Sequence, residues 1–177
     1  MVKAYVHDDK DSVDAREAHD TGIPVSLERL EKLGVIYKYL KTQEEVEQLA
    51  KERQYKNQDT VNIQLSTFNN DEKLFNDKLS IFYEEHLHED EEIRYCLEGT
   101  GYFDIRDSQN NEWLRCKVDP GDLLIVPAGI YHRFALDTSN YIKALRLFKD
   151  EPKWEAINKS DSADKSNIRI EYLNSIV

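Results

Sequence analysis

The run Glu85-His86-Leu87-His88-Glu89-Asp90-Glu91-Glu92-Ile93-Arg94-Tyr95 constrains the chain more than any other stretch. Side chains two apart on a β-strand project from the same face. His86 and His88 are therefore expected to direct two imidazoles into one space, with Glu92 returning to that side after a short acidic bend. Glu91 would point the other way in a strand, and Glu89 or Asp90 could take the place of Glu92 only if the bend is unusual. Further on, Gly121-Asp122-Leu123-Leu124-Ile125-Val126-Pro127-Ala128-Gly129-Ile130-Tyr131-His132 reads as strand, tight turn, strand. If the strand opened by His132 lies against the one carrying His86, three imidazoles and one carboxylate close on one point. That donor set suits Fe, Ni, Co or Mn. The competing reading, three core histidines without a metal, leaves the correctly spaced carboxylate unexplained.

The surrounding segments suit such a site. Ile93–Leu97, Tyr102–Arg106, Trp113–Val118, Leu123–Val126, Arg133–Leu136 and Tyr141–Phe148 read as short strands, punctuated by Glu98-Gly99-Thr100-Gly101, Asp107–Asn111 and Asp119-Pro120-Gly121-Asp122. Short strands at regular spacing with Gly and Pro turns predict a β-barrel or sandwich. Upstream the texture is mixed. A short helix is expected over Pro24–Leu33, stopped by Gly34, then a strand over Val35–Leu40. Thr42 with Glu45 forms a capping box that opens a helix with Val46, Leu49 and Ala50 on one face. Val61–Leu65 alternates as a strand does, Asn70–Leu79 looks helical, and Ile81-Phe82-Tyr83 leads into the histidine pair.

Both ends look polar. His7 and His19, each followed by Asp, read as solvated or capping histidines rather than ligands. After Trp154 the chain is rich in Ser, Asp and Lys, expected to be a flexible or surface-hugging tail, with Ile168–Tyr172 as a late edge strand. One domain over 1–177 is expected, with a barrel core at about 61–150 and a polar tail at 155–177. A net charge of −11 argues against nucleic-acid and membrane-surface roles. Cys96 and Cys116 lack metal-ligand spacing and read as reduced thiols. No apolar leader is read at the start, and no run approaches the roughly 20 apolar residues of a membrane span.

The residues also carry a resemblance. His86, His88, Glu92 and Gly99, then Gly121, Pro127, Gly129 and His132, match the two cupin motifs at their usual spacings. Ser80 and Leu136 depart from them at structural positions. Within the cupins, Glu92-Ile93-Arg94-Tyr95, Gly99-Thr100-Gly101-Tyr102-Phe103-Asp104, Pro127–Phe134 and Ala144–Phe148 resemble acireductone dioxygenases of methionine salvage, from about Pro24 to Trp154. The resemblance implies a mainly β cupin double-stranded β-helix, a jelly-roll barrel with a few helices and a mixed α/β N-terminal part. It implies one Fe(2+), alternatively Ni(2+), per chain on His86, His88, Glu92 and His132. The substrates would be 1,2-dihydroxy-3-keto-5-methylthiopentene and O₂. The Fe form would give formate and 2-keto-4-methylthiobutyrate, the Ni form methylthiopropionate, formate and CO. It further implies a cytoplasmic monomer, with the nucleus as an open second compartment.

Arg94, two residues after Glu92, would face the same interior and neutralise the substrate; the alternative is a pairing with Glu92 or Glu98 that merely holds the ligand shell. Arg146 is a second such candidate, with a structural salt bridge as its alternative. Phe82 and Phe134 would wall the pocket for a methylthio tail, or simply pack in the core. A different cupin dioxygenase or isomerase, or a non-catalytic binding cupin, remains the competing class.

Overall fold

A computed structural model describes residues 3–151 and 155–177. Trp154, where the barrel pattern was expected to give way to the tail, lies outside the described residues. The chain forms β1 (Lys3–His7), β2 (Asp20–Pro24), α1 (Leu27–Lys32), β3 (Ile36–Tyr39), α2 (Gln43–Glu52), β4 (Asn57–Ile63), α3 (Glu72–Tyr83), β5 (His86–Leu87) and β6 (Glu92–Gly99). It continues through β7 (Gly101–Asp107), β8 (Glu112–Val118), β9 (Asp122–Val126), β10 (His132–Leu136), β11 (Ile142–Phe148), β12 (Ile157–Asn158), α4 (Asp161–Asp164) and α5 (Asn167–Ser175).

The strands build two antiparallel sheets, ordered β12-β5-β10-β7-β8-β1-β2 and β3-β9-β6-β11-β4. Period-two alternation decides which side chains enter the space between them. In the first sheet, the register His132↔Ile105↔Leu114 and Phe134↔Phe103↔Cys116 turns these residues inward. Cys96, Leu124, Val126 and Ile142 of the second sheet complete the same core. On the outer face of the second sheet, Val46, Leu49 and Ala50 of α2 pack against Ile93, Tyr95, Leu123, Ile125, Leu145 and Leu147. The Thr42–Glu45 capping box opens α2, as its sequence requires.

The outer face of the first sheet carries charge instead. Asp104 is 1% exposed and accepts from Arg115 Nε (2.7 Å) and Nη2 (3.0 Å) and from Arg133 Nε (2.9 Å). The 8–19 loop covers this ladder: Arg115 Nη1 donates to the carbonyls of Ala15 and Glu17, and the Tyr5 hydroxyl to that of Ala18. The N-terminal lead is thus structured, and His7 and His19 are both buried rather than solvated. Their rings stack 4.4 Å apart, and His19 Nδ1 lies 2.6 Å from Asp8 Oδ1. Pairing with Asp8, eleven residues away, offsets the cost of burying His19, while His7 Nδ1 accepts from the Asp9 N–H at 2.9 Å.

Other expectations shift. The helix read as Asn70–Leu79 extends to Tyr83, so Ile81–Tyr83 are helical rather than the entry to the histidine pair. The strand placed at Val61–Leu65 starts at Asn57 and ends at Ile63. Ile168–Tyr172, expected as an edge strand, lies in α5. The helix buries Arg169 and Tyr172, three apart, whereas Ile170 is 46% exposed; helical period, not alternation, governs the segment.

Candidate metal centre

The site forms between the sheets. His86 and His132 sit directly opposite each other on β5 and β10, and Glu92 opens β6 on the facing sheet. His88 follows just after β5 ends. The three ring centroids form a triangle with sides of 4.5 Å (His86–His132), 5.0 Å (His86–His88) and 5.1 Å (His88–His132). One donor atom from each of His86, His88, Glu92 and His132 lies within 4.8 Å of all the others. The rival carboxylates Glu89 and Asp90 are outside this cluster. Glu91 turns away, accepting from the Tyr55 hydroxyl (2.7 Å) and facing Lys149 and Arg53.

Each imidazole is oriented through its other nitrogen. His86 Nδ1 lies 2.5 Å from the Glu84 carbonyl, His132 Nδ1 3.0 Å from that of Ile130, and His88 Nδ1 3.1 Å from that of Glu155. A carbonyl only accepts, so each Nδ1 carries a proton, and in the neutral ring Nε2 would present a lone pair. Yet Glu92 Oε2 lies 2.7 Å from His132 Nε2 and 3.1 Å from His88 Nε2. Acceptors at that distance repel unless a proton or a cation lies between them. A six-coordinate ion with bonds of about 2.1 Å places adjacent donors about 3 Å and opposed donors about 4.2 Å apart. The two separations, 2.7 and 3.1 Å, match adjacent donors of such an ion, and the whole set within 4.8 Å is compatible with one.

The electrostatics of Glu92 and His86 agree with this. Burial opposes charge on Glu92, but Arg94 and then His132 hold its carboxyl well below the usual range. Burial, reinforced by His132, pushes His86 down to about 4 and keeps it neutral. His88 is raised despite burial, because of the Glu92 carboxylate. Arg94 Nη2 reaches Glu92 Oε1 at 3.1 Å, and Arg94 also lines the cavity.

The adjoining cavity is about 340 Å³. Its charged end carries Glu92, Arg94 and Arg146, the two arginines being direct cross-strand neighbours. Asp59 of β4 grips Arg146 through two hydrogen bonds of 2.8 and 2.6 Å. One rung along, Ala144 faces Cys96 on one side and Val61 on the other, and Ile142 faces Ile63 beyond. Phe82, Phe103, Val118 and Phe134 close this apolar end. Two residues of strand advance about 7 Å, so charge and apolar surface are separated by the length of a short carbon chain. Burial pushes the Cys96 thiol up to about 12, leaving it a protonated, inert lining group.

Sequence reasoning missed Asp59, the apolar rung and the remote acceptor at Glu155. Only Asp59 left a usable signal, two residues before Val61 on an alternating strand. A second His/Asp group, His7, Asp8 and His19, also gathers three donor atoms. Its rings are stacked at 11°, so their in-plane lone pairs run parallel rather than converging, and both nitrogens of His19 already face acceptors.

A sequence profile of the ARD/ARD' family matches residues 3–156. The acireductone dioxygenase of Saccharomyces cerevisiae is 60% identical over 98% of this chain and 97% of its own. That of Candida albicans is 54% identical over 99% of each. Among solved structures, an acireductone dioxygenase from Bacillus anthracis with a cadmium ion in its active centre superposes with a TM-score of 0.67, at 23% identity, over 89% of this chain and 98% of the other. That likeness fixes the architecture as a cupin double-stranded β-helix.

Proposed function

The chain belongs to the acireductone dioxygenase family, and we propose that it cleaves 1,2-dihydroxy-3-keto-5-methylthiopentene with O₂ on a metal held by His86, His88, Glu92 and His132. With Fe(2+) the products are formate and 2-keto-4-methylthiobutyrate; with Ni(2+) they are methylthiopropionate, formate and CO. Either set equals substrate plus one O₂, so both oxygen atoms end in products. The observation that carries this reading is the convergence of four donors beside a cavity that is charged at one end and apolar at the other.

When bound, the metal would supply a Lewis acid that stabilises the enediolate charge. The protein does the rest. Three carbonyl-anchored imidazoles keep their Nε2 lone pairs on one point without reorganisation. Arg94, held by Glu92, offsets the charge of the enediolate and orients it. Arg146, held by Asp59, adds a second cation across the ladder. Phe82, Phe134 and the Ala144 rung take the methylthio end and exclude water from it. All four donors come from one chain, which suits a monomer. Among the described residues no helix is long and apolar enough to cross a membrane. We place the enzyme in methionine salvage, in the cytoplasm.

The test is metal analysis of the purified protein, followed by anaerobic mixing with acireductone and admission of O₂. Loss of the substrate's ultraviolet absorbance with release of one formate is expected. Keto acid without CO assigns the Fe reaction, and CO assigns the Ni reaction. Metal-loaded protein that leaves the absorbance unchanged would falsify the proposal.

A further inference from the structure

The three ligand imidazoles are not anchored alike. His86 and His132 each reach a carbonyl two residues back, Glu84 and Ile130, within their own segments. His88 instead reaches the carbonyl of Glu155, sixty-seven residues away. β5 ends at Leu87, so His88 lies just outside the strand ladder.

Resting on the metal-centre reading above, we propose that the C-terminal segment from Glu155 through α5 is a positioning part of the centre, with Arg169 as its latch. Three contacts converge. β12 pairs with β5, Asn158 opposite His86, and Lys159 N–H donates to the Glu85 carbonyl at 2.9 Å. This holds Glu155 over His88. Gly129 N–H donates to the His88 carbonyl at 3.0 Å, tying the turn before His132 to the first ligand segment. Arg169 Nη1 then donates to the Gly129 carbonyl at 3.0 Å. The Arg169 guanidinium is buried between the rings of Tyr131 and Tyr172, and the Tyr131 hydroxyl is fixed by Asp164. A Cβ on Gly129 would fall 2.5 Å from the Ile168 carbonyl, so α5 seats directly on the turn that delivers His132. The segment therefore grips both pieces of chain that supply ligands. Most of it lies beyond the residues the family profile matches.

Removing partners that orient metal ligands costs about 10- to 100-fold in metal affinity. The experiment loads the full-length wild type, Arg169→Ala and Arg169→Lys with Co(II). It then follows transfer of the ion to excess chelator and the visible Co(II) spectrum, with circular dichroism and melting of the metal-free proteins as the control for folding. Arg169→Ala is expected to lose Co(II) at least tenfold faster with an altered spectrum and unchanged secondary structure, and Arg169→Lys to recover part of the loss. Equal transfer rates and identical spectra for wild type and Arg169→Ala overturn the proposal. A wild type that takes up no Co(II) overturns the metal centre itself, a different result.

Discussion

Replacing Arg94 by Ala separates substrate handling from metal holding. The Arg94 side chain is 21% exposed, contacts Glu92 at 3.1 Å and lines the cavity. A hydrogen bond to a charged group contributes about 1.5–3 kcal/mol. Since 1.36 kcal/mol is tenfold in rate, losing one such contact to the enediolate lowers kcat/KM roughly 10- to 150-fold. The metal should stay near neutral pH, because the four donors remain. Acid release should shift, however. Burial alone would raise the Glu92 carboxyl, and Arg94 is the largest influence holding it down. Without Arg94 the carboxyl rises, so protons displace the metal at higher pH than in the wild type. Steady-state kinetics, repeated with added guanidinium, reads the first effect; bound metal against pH reads the second. Guanidinium should restore part of the rate. Wild-type kinetics together with an unmoved pH of metal release would remove Arg94 from the site.

The other expectations are simpler. His88→Ala should leave the fold intact but abolish tight metal retention, which dialysis and metal analysis check. Ala144→Leu projects bulk between Cys96 and Val61; overpacking of about 1–3 kcal/mol should raise KM for the methylthio substrate roughly tenfold, while a shorter acireductone without the methylthio group keeps its turnover. Asp104→Ala leaves Arg115 and Arg133 without their shared carboxylate and should cost about 3–5 kcal/mol in urea unfolding. Stability should also fall with acid in two stages. His7, pushed down to about 4 chiefly by burial, is neutral when folded. Between the ordinary histidine pKa of about 6.5 and that value the unfolded chain binds the extra proton, so stability declines as pH falls through this window. Asp104, held down by Arg115 and Arg133 against burial, contributes above the unfolded value of about 3.9 and is lost as pH drops through its folded value. His7→Gln should flatten the first stage, read from urea midpoints between pH 7 and 4.

The gathering of the four donors was legible because residue type and strand spacing point the same way. Few arrangements other than a metal site ask for His86, His88, Glu92 and His132 at those intervals, and strand alternation says which way they face. The barrel strands were legible for a similar reason: Gly and Pro mark their turns and apolar residues alternate between them. The C-terminal segment was not. Ile168, Ile170 and Tyr172 mimic an alternating strand, while the helix that forms there buries an arginine that apolar patterning cannot flag. The buried stacking of His7 on His19 was hidden likewise, since His19 finds its carboxylate eleven residues away in sequence. Phe82 was read beside a strand but sits on α3, where Phe75, Leu79 and Phe82 face the barrel at helical intervals.

His132 and Arg133 are consecutive and lie on opposite sides of β10. A slip of one residue against β7 would drive the guanidinium into the cavity and expel the imidazole. The same slip would strip Asp104 of one of its two cations in a place no water reaches. Misaligned pairing is thus penalised on both sides of the strand at once. The charged ladder proofreads the alignment on which the interior depends, so insertions or deletions between Gly129 and Arg133 should be among the least tolerated changes in the molecule.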